Sequence, residues 1–218
     1  MTLAIFDLDN TLIGCDSDHL WGDWLVEKGI VDQQLYKETN DQFYVDYQNG
    51  RLDIMAYLRF SLKVLADNDM AQLHFWREQF LAEKLDSMWL PKAEALLQKH
   101  RDQGHTLMII TATNDFVTAP LADRLGVDHL IATVAECRRE RYTGDVAGTP
   151  SYREGKVERL AEWLNANDET LENSWFYSDS HNDLPLLKKV DNPVAVDPDP
   201  TLEQYARDNG WKVMSLRG

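Results

Sequence analysis

The 218-residue chain carries 37 acidic against 22 basic residues, a formal charge of −15. That field repels phosphate polymers and argues against nucleic-acid binding, and no apolar run approaches the roughly 20 residues of a membrane span. The length accommodates one domain with a substantial core, or a domain with a smaller insert.

The apolar run Ala4-Ile5-Phe6 reads as a strand buried on both faces, as in parallel sheets. Asp7-Leu8-Asp9-Asn10 ends it, because Asp and Asn favour turns. The next seventy or so residues read as helical. Asp16 or Ser17 can cap a helix carrying Leu20, Trp21, Trp24 and Leu25, which stops at Gly29. Leu35, Thr39, Phe43 and Tyr47 recur at four-residue spacing on a second helix. Asp53 caps a third, with Ile54, Tyr57, Leu58, Ser61, Leu62 and Leu65 on one face, and Leu73, Trp76, Phe80 and Leu81 mark a fourth. Such amphipathic helices make a small bundle, and their aromatic stripes are expected to be mostly core packing.

From Pro91 the pattern changes. Pro91 opens a helix that closes at Gly104. Strands are then predicted over 105–112, 129–137 and 174–178, with later ones over 193–196 and 212–216. Helices over 116–125, 155–165, 183–190 and 201–209 separate them, and residues 141–148 read as a hairpin or loop excursion. This alternation predicts an α/β protein with a doubly wound parallel sheet. Its core is residues 1–14 and 86–218, and residues 15–85 form an inserted helical domain. Cys15 and Cys137 are expected to be free thiols; with no signal-peptide pattern, the cytoplasm is the expected compartment.

Four places carry chemistry. Asp7 and Asp9 fall at the carboxyl end of a central strand, where open α/β sheets bind ligands. Two close buried acids raise one another's pKa, a conflict that a hard divalent cation removes; a solvated turn is the plainer alternative. Thr111 ends the second apolar strand and could hold a phosphate oxygen together with neighbouring backbone N–H groups. Lys156 sits in the first turn of a helix, where the dipole favours an anion, so a phosphate partner would explain it; a solvated surface lysine is the plainer alternative. Asp179 and Asp183 follow the strand that ends at Ser178, and could supply oxygens opposite Asp7. His181 lies between them, but imidazole suits an oxygen-rich Mg²⁺ site poorly.

In this order the residues resemble the haloacid dehalogenase-like hydrolase superfamily, with its Asp-x-Asp-x-Thr, strand-end Ser or Thr, Lys and acidic pair. Those positions are Asp7, Asp9 and Thr11; Thr111; Lys156; and Asp179 with Asp183. Residues 142–146 and 180–187 are similar to the phosphoserine phosphatase-like branch, and the helical insert resembles its C1 cap. The resemblance implies a Rossmann-like core, with Mg²⁺ held by Asp7, the Asp9 carbonyl and Asp179. It implies that Asp7 attacks phosphorus to give an aspartyl-phosphate, and that Asp9 serves as acid and then base. Thr111, Ala112 and Lys156 would bind phosphate, and Asp183 would orient Lys156 or a metal-bound water. The acid at Asp9 speaks against dehalogenation, because a halide leaves without a proton.

The resemblance leaves the substrate open. In phosphoserine phosphatases an acid nine residues after the nucleophile can bind an ammonium; here it is Asp16, and Asp18 and Asp23 follow. Where those enzymes place a carboxylate-binding Arg, an ungapped alignment puts Ser61, with Arg59 two residues earlier. The expected substrate is a small phosphorylated metabolite, an amino-alcohol phosphate such as L-histidinol phosphate. Asp16, Arg59 and Asn182 are the candidate contacts. A phosphoserine phosphatase, a phosphotransferase using the same intermediate, and a non-catalytic binding protein are the alternatives. No nucleic-acid or membrane partner is expected, and the chain should be a monomer or small homo-oligomer.

Overall fold

The computed structural model describes residues 2–217. A fully buried strand, β1 (Leu3–Phe6), is followed by five helices. These are α1 (Ser17–Glu27), α2 (Gln33–Gln48), α3 (Ile54–Ser61), α4 (Lys63–Asp67) and α5 (Met70–Met88). Next come α6 (Pro91–Asp102), β2 (Thr106–Asn114), α7 (Asp115–Leu125) and β3 (His129–Thr133). A hairpin of β4 (Ala135–Arg138) and β5 (Arg141–Val146) leads to α8 (Glu154–Asn167) and β6 (Trp175–Ser178). A 3₁₀ turn (His181–Asp183), α9 (Leu184–Leu187), β7 (Asn192–Val196), α10 (Pro200–Asp208) and β8 (Lys212–Met214) complete the chain.

The main sheet has the order β3-β2-β1-β6-β7-β8, and its neighbours pair in parallel. The chain winds outward from β1 on one side and from β6 on the other. The strand order therefore reverses at β1 and β6, and the crevice at their carboxyl ends is the ligand position of such sheets. Side chains alternate across β1: Leu3 and Ile5 pack with Leu160, Leu186 and Leu202, while Ala4 and Phe6 face Leu97 and Leu121. Trp21, Trp24 and Phe80 of the inserted helices join the second of these clusters, with ring centroids 5.3–6.1 Å apart.

Several predicted elements differ in detail. The single strand expected over 129–137 breaks at Val134, where β3 leaves the main sheet. The Ala135 N–H is taken by the Asp115 carboxylate at 2.9 Å instead of a strand neighbour. Arg139 and Glu140, both at positive φ (50° and 62°), then turn the hairpin; their twist matches that of paired strands. The third predicted helix divides at Leu62 into α3 and α4. The second helix does not bury its stripe in a core: Leu35 is 68 % exposed, and Phe43 and Tyr47 are half-buried. Helix α5 continues past residue 85 to Met88, where Gly14 N–H donates to Met88 O at 2.7 Å and Ile13 bridges to Trp89. Among the described residues no helix is long and apolar enough to cross a membrane, and Cys15 and Cys137 are unbridged.

Candidate active site

The site assembles where β1, β2 and β6 end. Asp7 leaves β1 with its N–H donating to Tyr177 O at 2.9 Å, which continues the parallel ladder one residue past the strand. The Lys156 ammonium, only 3 % exposed, donates to Asp7 Oδ1 at 2.7 Å and to the Asp183 carboxylate at 2.7 and 2.8 Å. Ser178 Oγ donates to Asp183 at 2.7 Å and fixes that carboxylate in turn. The backbone ahead of α8 explains the reach of Lys156. Arg153, the residue before the helix, is held at φ 51°, a conformation that L residues seldom adopt. A Cβ on Gly155 would sit 2.0 Å from Pro150 O. Only glycine permits a turn this tight, and the next residue is the lysine.

Asp9 is held at both oxygens. Oδ1 accepts from Ser17 N–H at 2.7 Å, and Oδ2 accepts from Thr113 Oγ1 at 2.8 Å and from Thr111 Oγ1 at 3.3 Å. Thr113 lies outside the predicted strand, yet β2 runs on to Asn114 and the two-residue strand period puts Thr113 on the Thr111 face. Thr111 also accepts from Thr113 N–H at 3.2 Å, and Ala112 lines the same cavity. Thr11 clamps Asp179: its hydroxyl donates to Oδ1 and accepts from the Asp179 N–H, both at 3.1 Å.

Charge is unevenly balanced here. Burial pushes Asp7 up to about 7, against the pull of Lys156 and with help from Asp183 and Asp9. Burial, then repulsion from Asp7 and Asp183, raises Asp179 well above the carboxylate range. Burial also works against the Lys156 ammonium, but Asp183 and Asp7 outweigh it and hold its pKa above the ordinary lysine value. Acids that raise one another in this way, with hard oxygens facing one pocket, fit an Mg²⁺ ion. Asp7 and Asp179, with the Asp9 carbonyl, are the groups that could hold it.

A cavity rises from Asp7 and Asp9 into the inserted helices. Asp16, Asp18, His19, Asn40, Phe43, Tyr44, Tyr47, Tyr57 and Tyr152 line its upper part, and Thr111, Ala112 and Thr113 its floor. Asp16 is the cap of α1, accepting from His19 N–H at 2.8 Å; burial and Asp9 push its pKa well up. Other expected contacts fall elsewhere. Arg59 is exposed and outside the lining, because Leu58, Ser61, Leu62 and Leu65 take the buried face at helical spacing. Ser61 is buried but also outside the lining. Asp23 pairs with Lys37 at 3.1 Å, away from the cavity. Asn182 is buried in a bridge: its oxygen accepts from Arg153 at 2.8 and 3.0 Å, and its amide donates to Tyr47 O at 3.2 Å. His181 bonds Asp199 at 2.8 Å through Nδ1.

Residues 4–188 match the haloacid dehalogenase-like hydrolase family. The chain belongs to that family. It is 45 % identical to a histidinol-phosphatase of Neisseria meningitidis, over 99 % of both chains. It is 31 % identical to a phosphoserine phosphatase of Mycobacterium tuberculosis, covering 98 % of this chain and 70 % of that one. These relatives place it among the family's phosphatases. A solved protein of unknown function from Bordetella pertussis superposes with a TM-score of 0.93 at 41 % identity, covering 99 % of this chain and 100 % of that one. A phosphoserine phosphatase with an analogue of its phospho-aspartyl intermediate shares the fold, with a TM-score of 0.71 at 18 % identity. That match covers 99 % of this chain and 93 % of the other.

Proposed function

We propose that the protein is an Mg²⁺-dependent phosphomonoesterase whose substrate is an amino-alcohol phosphate, L-histidinol phosphate. The observation that carries the substrate class is the cavity above Asp7: its described lining holds carboxylates and aromatic rings and includes no Lys or Arg. A substrate bearing a carboxylate, such as phosphoserine, would meet Asp16 and Asp18 without a counter-ion, a cost that works as discrimination. An ammonium group meets Asp16 favourably, and Phe43, Tyr44 and Tyr57 offer faces for a ring. The 45 % identity to the Neisseria histidinol-phosphatase supports the same reading.

In this reading Asp7 is the nucleophile and forms the aspartyl-phosphate. Lys156, already at 2.7 Å from Asp7, grips a phosphoryl oxygen as the phosphate enters, with the Thr111 hydroxyl and the backbone around Ala112. Asp183 and Ser178 hold the ammonium in place. Asp9 protonates the departing alkoxide and then takes a proton from the attacking water. Ser17, Thr111 and Thr113 fix its carboxylate for both steps. Mg²⁺ on Asp7, Asp179 and the Asp9 carbonyl would supply charge against the repulsion between nucleophile and phosphate. The helices of residues 15–85 serve as the cap, closing the cavity over the substrate. We place the enzyme in the cytoplasm, acting on a small metabolite.

The test is kcat/KM with Mg²⁺ for L-histidinol phosphate against L-phosphoserine, in wild type and Asp16→Asn. A strong preference for histidinol phosphate that Asp16→Asn erodes is expected. A preference for phosphoserine refutes the substrate, and product transfer to an added alcohol at the expense of hydrolysis would make the enzyme a phosphotransferase.

A further inference from the structure

We propose that Asp18 is a specificity residue that reads a ring nitrogen of the substrate. The inference rests on the amino-alcohol phosphate reading and deepens it. Asp18 lies in the first turn of α1, two residues beyond Asp16, and lines the same cavity as Asp7 and Asp9. It is 6 % exposed. A carboxylate so far from water is ordinarily paired with a cation, and among the described residues this one is not.

Its partners are neutral. Asn114 Nδ2 donates to Asp18 Oδ1 at 3.2 Å, and the Tyr57 hydroxyl donates to the same carboxylate. The charged groups that bear on it are the acids Asp9 and Asp16. His19 is adjacent but committed elsewhere: Nδ1 meets Asn40 at 3.0 Å, and Nε2 lies 3.6 and 3.5 Å from Asp23 and Asp41. Burial and Asp9 push Asp18 up to about 7, so the site favours a ligand that brings a proton or a positive charge.

The geometry narrows that ligand. With the phosphoryl group at Asp7 and an ammonium at Asp16, Asp18 remains as an acceptor beside the rings of Phe43 and Tyr57. A flat group with an N–H on its edge, an azole ring, satisfies the acceptor and the aromatic walls together. A saturated or benzenoid side chain would bury the carboxylate against carbon. Asp18 also ties α1 to α3 through Tyr57 and to the end of β2 through Asn114, so the experiment has to separate recognition from scaffolding.

Two substrates that differ in ring nitrogens do so: L-histidinol phosphate and L-phenylalaninol phosphate, each assayed with Mg²⁺ on wild type and Asp18→Asn. Wild type should favour histidinol phosphate by roughly tenfold or more, the worth of a hydrogen bond to a charged group. In Asp18→Asn the ratio should collapse toward unity, through KM rather than kcat. A scaffolding role would lower both substrates together and keep the ratio; that result overturns the inference. So does a wild type that turns over both without preference. Turnover of neither overturns the substrate reading itself. Should Asp18→Asn fail to fold, Asp18→Glu, which keeps the carboxylate and moves it by one methylene, takes its place: the ratio should fall, and a ratio equal to that of wild type overturns the proposal.

Discussion

Replacing Lys156 with Met keeps most of the side-chain volume and removes the ammonium that bridges Asp7 and Asp183. Both carboxylates are buried, with Lys156 oxygen contacts of 2.7–2.8 Å. Removing one partner of such a pair costs about 3–5 kcal/mol. For a chain of this size that corresponds to a fall in Tm of roughly 6–20 °C. The loss should depend on pH, and its sign follows from Asp7. Its folded value, about 7, lies above the ordinary 3.8. Between those values the folded form keeps a proton that the unfolded chain has released, so stability falls as pH rises through this window. Without Lys156 the Asp7 carboxyl is raised further and the window extends upward. A protonated carboxyl needs no counter-ion, so the Asp7 share of the deficit should be small near pH 5 and larger, still growing, at about pH 8. Scanning calorimetry of both proteins in EDTA at the two pH values measures it. An equal loss at both, or a larger one at the acid end, would refute the electrostatic account of this lysine.

Asp9→Asn should slow turnover by roughly a hundredfold or more, the cost of a general acid–base, with the burst phase and the steady state both affected. Near-wild-type rates would exclude that role. Gly155→Ala should lower Tm by at least the ~1–3 kcal/mol equivalent of an overpacked site, because the new Cβ meets Pro150 O, a backbone atom. The kcat should fall with it as Lys156 shifts, and an unchanged Tm would contradict the tight turn. Ca²⁺ should compete with Mg²⁺ but support little turnover, since it accepts more ligands in looser geometry; equal rates with the two ions would show that metal geometry does not aim the nucleophile.

The candidate site was legible because its residues sit at strand ends. Apolar runs that stop at Asp7, Thr111 and Ser178 announce a parallel sheet, and the Lys156 position, unfavourable for an isolated helix, is explained by its pairing with the Asp7 and Asp183 carboxylates. Thr113 was legible in principle from the strand period, but the sequence pattern ends β2 two residues early. The cap was read less well. Its aromatic stripe on α2 carries helical spacing, which says that one face is covered and not what covers it; Phe43 and Tyr47 face the cavity rather than a core.

Fold class, element order and the positions of Asp7, Asp9, Thr111, Lys156, Asp179 and Asp183 at strand ends or a helix start follow from local pattern, because hydrophobic period and turn chemistry are properties of neighbouring residues. The fates of Asp16, Asp18, Asp23 and Arg59 do not. Asp16 caps α1 and the other three lie on inserted helices, yet Asp16 and Asp18 enter the cavity, Asp23 pairs with Lys37, and Arg59 is exposed. What separates them is the rotation of α1 and α3 against β2 and its neighbours. Contacts such as Asp18 with Asn114, 96 residues apart in the chain, set that rotation, and no local spacing encodes it.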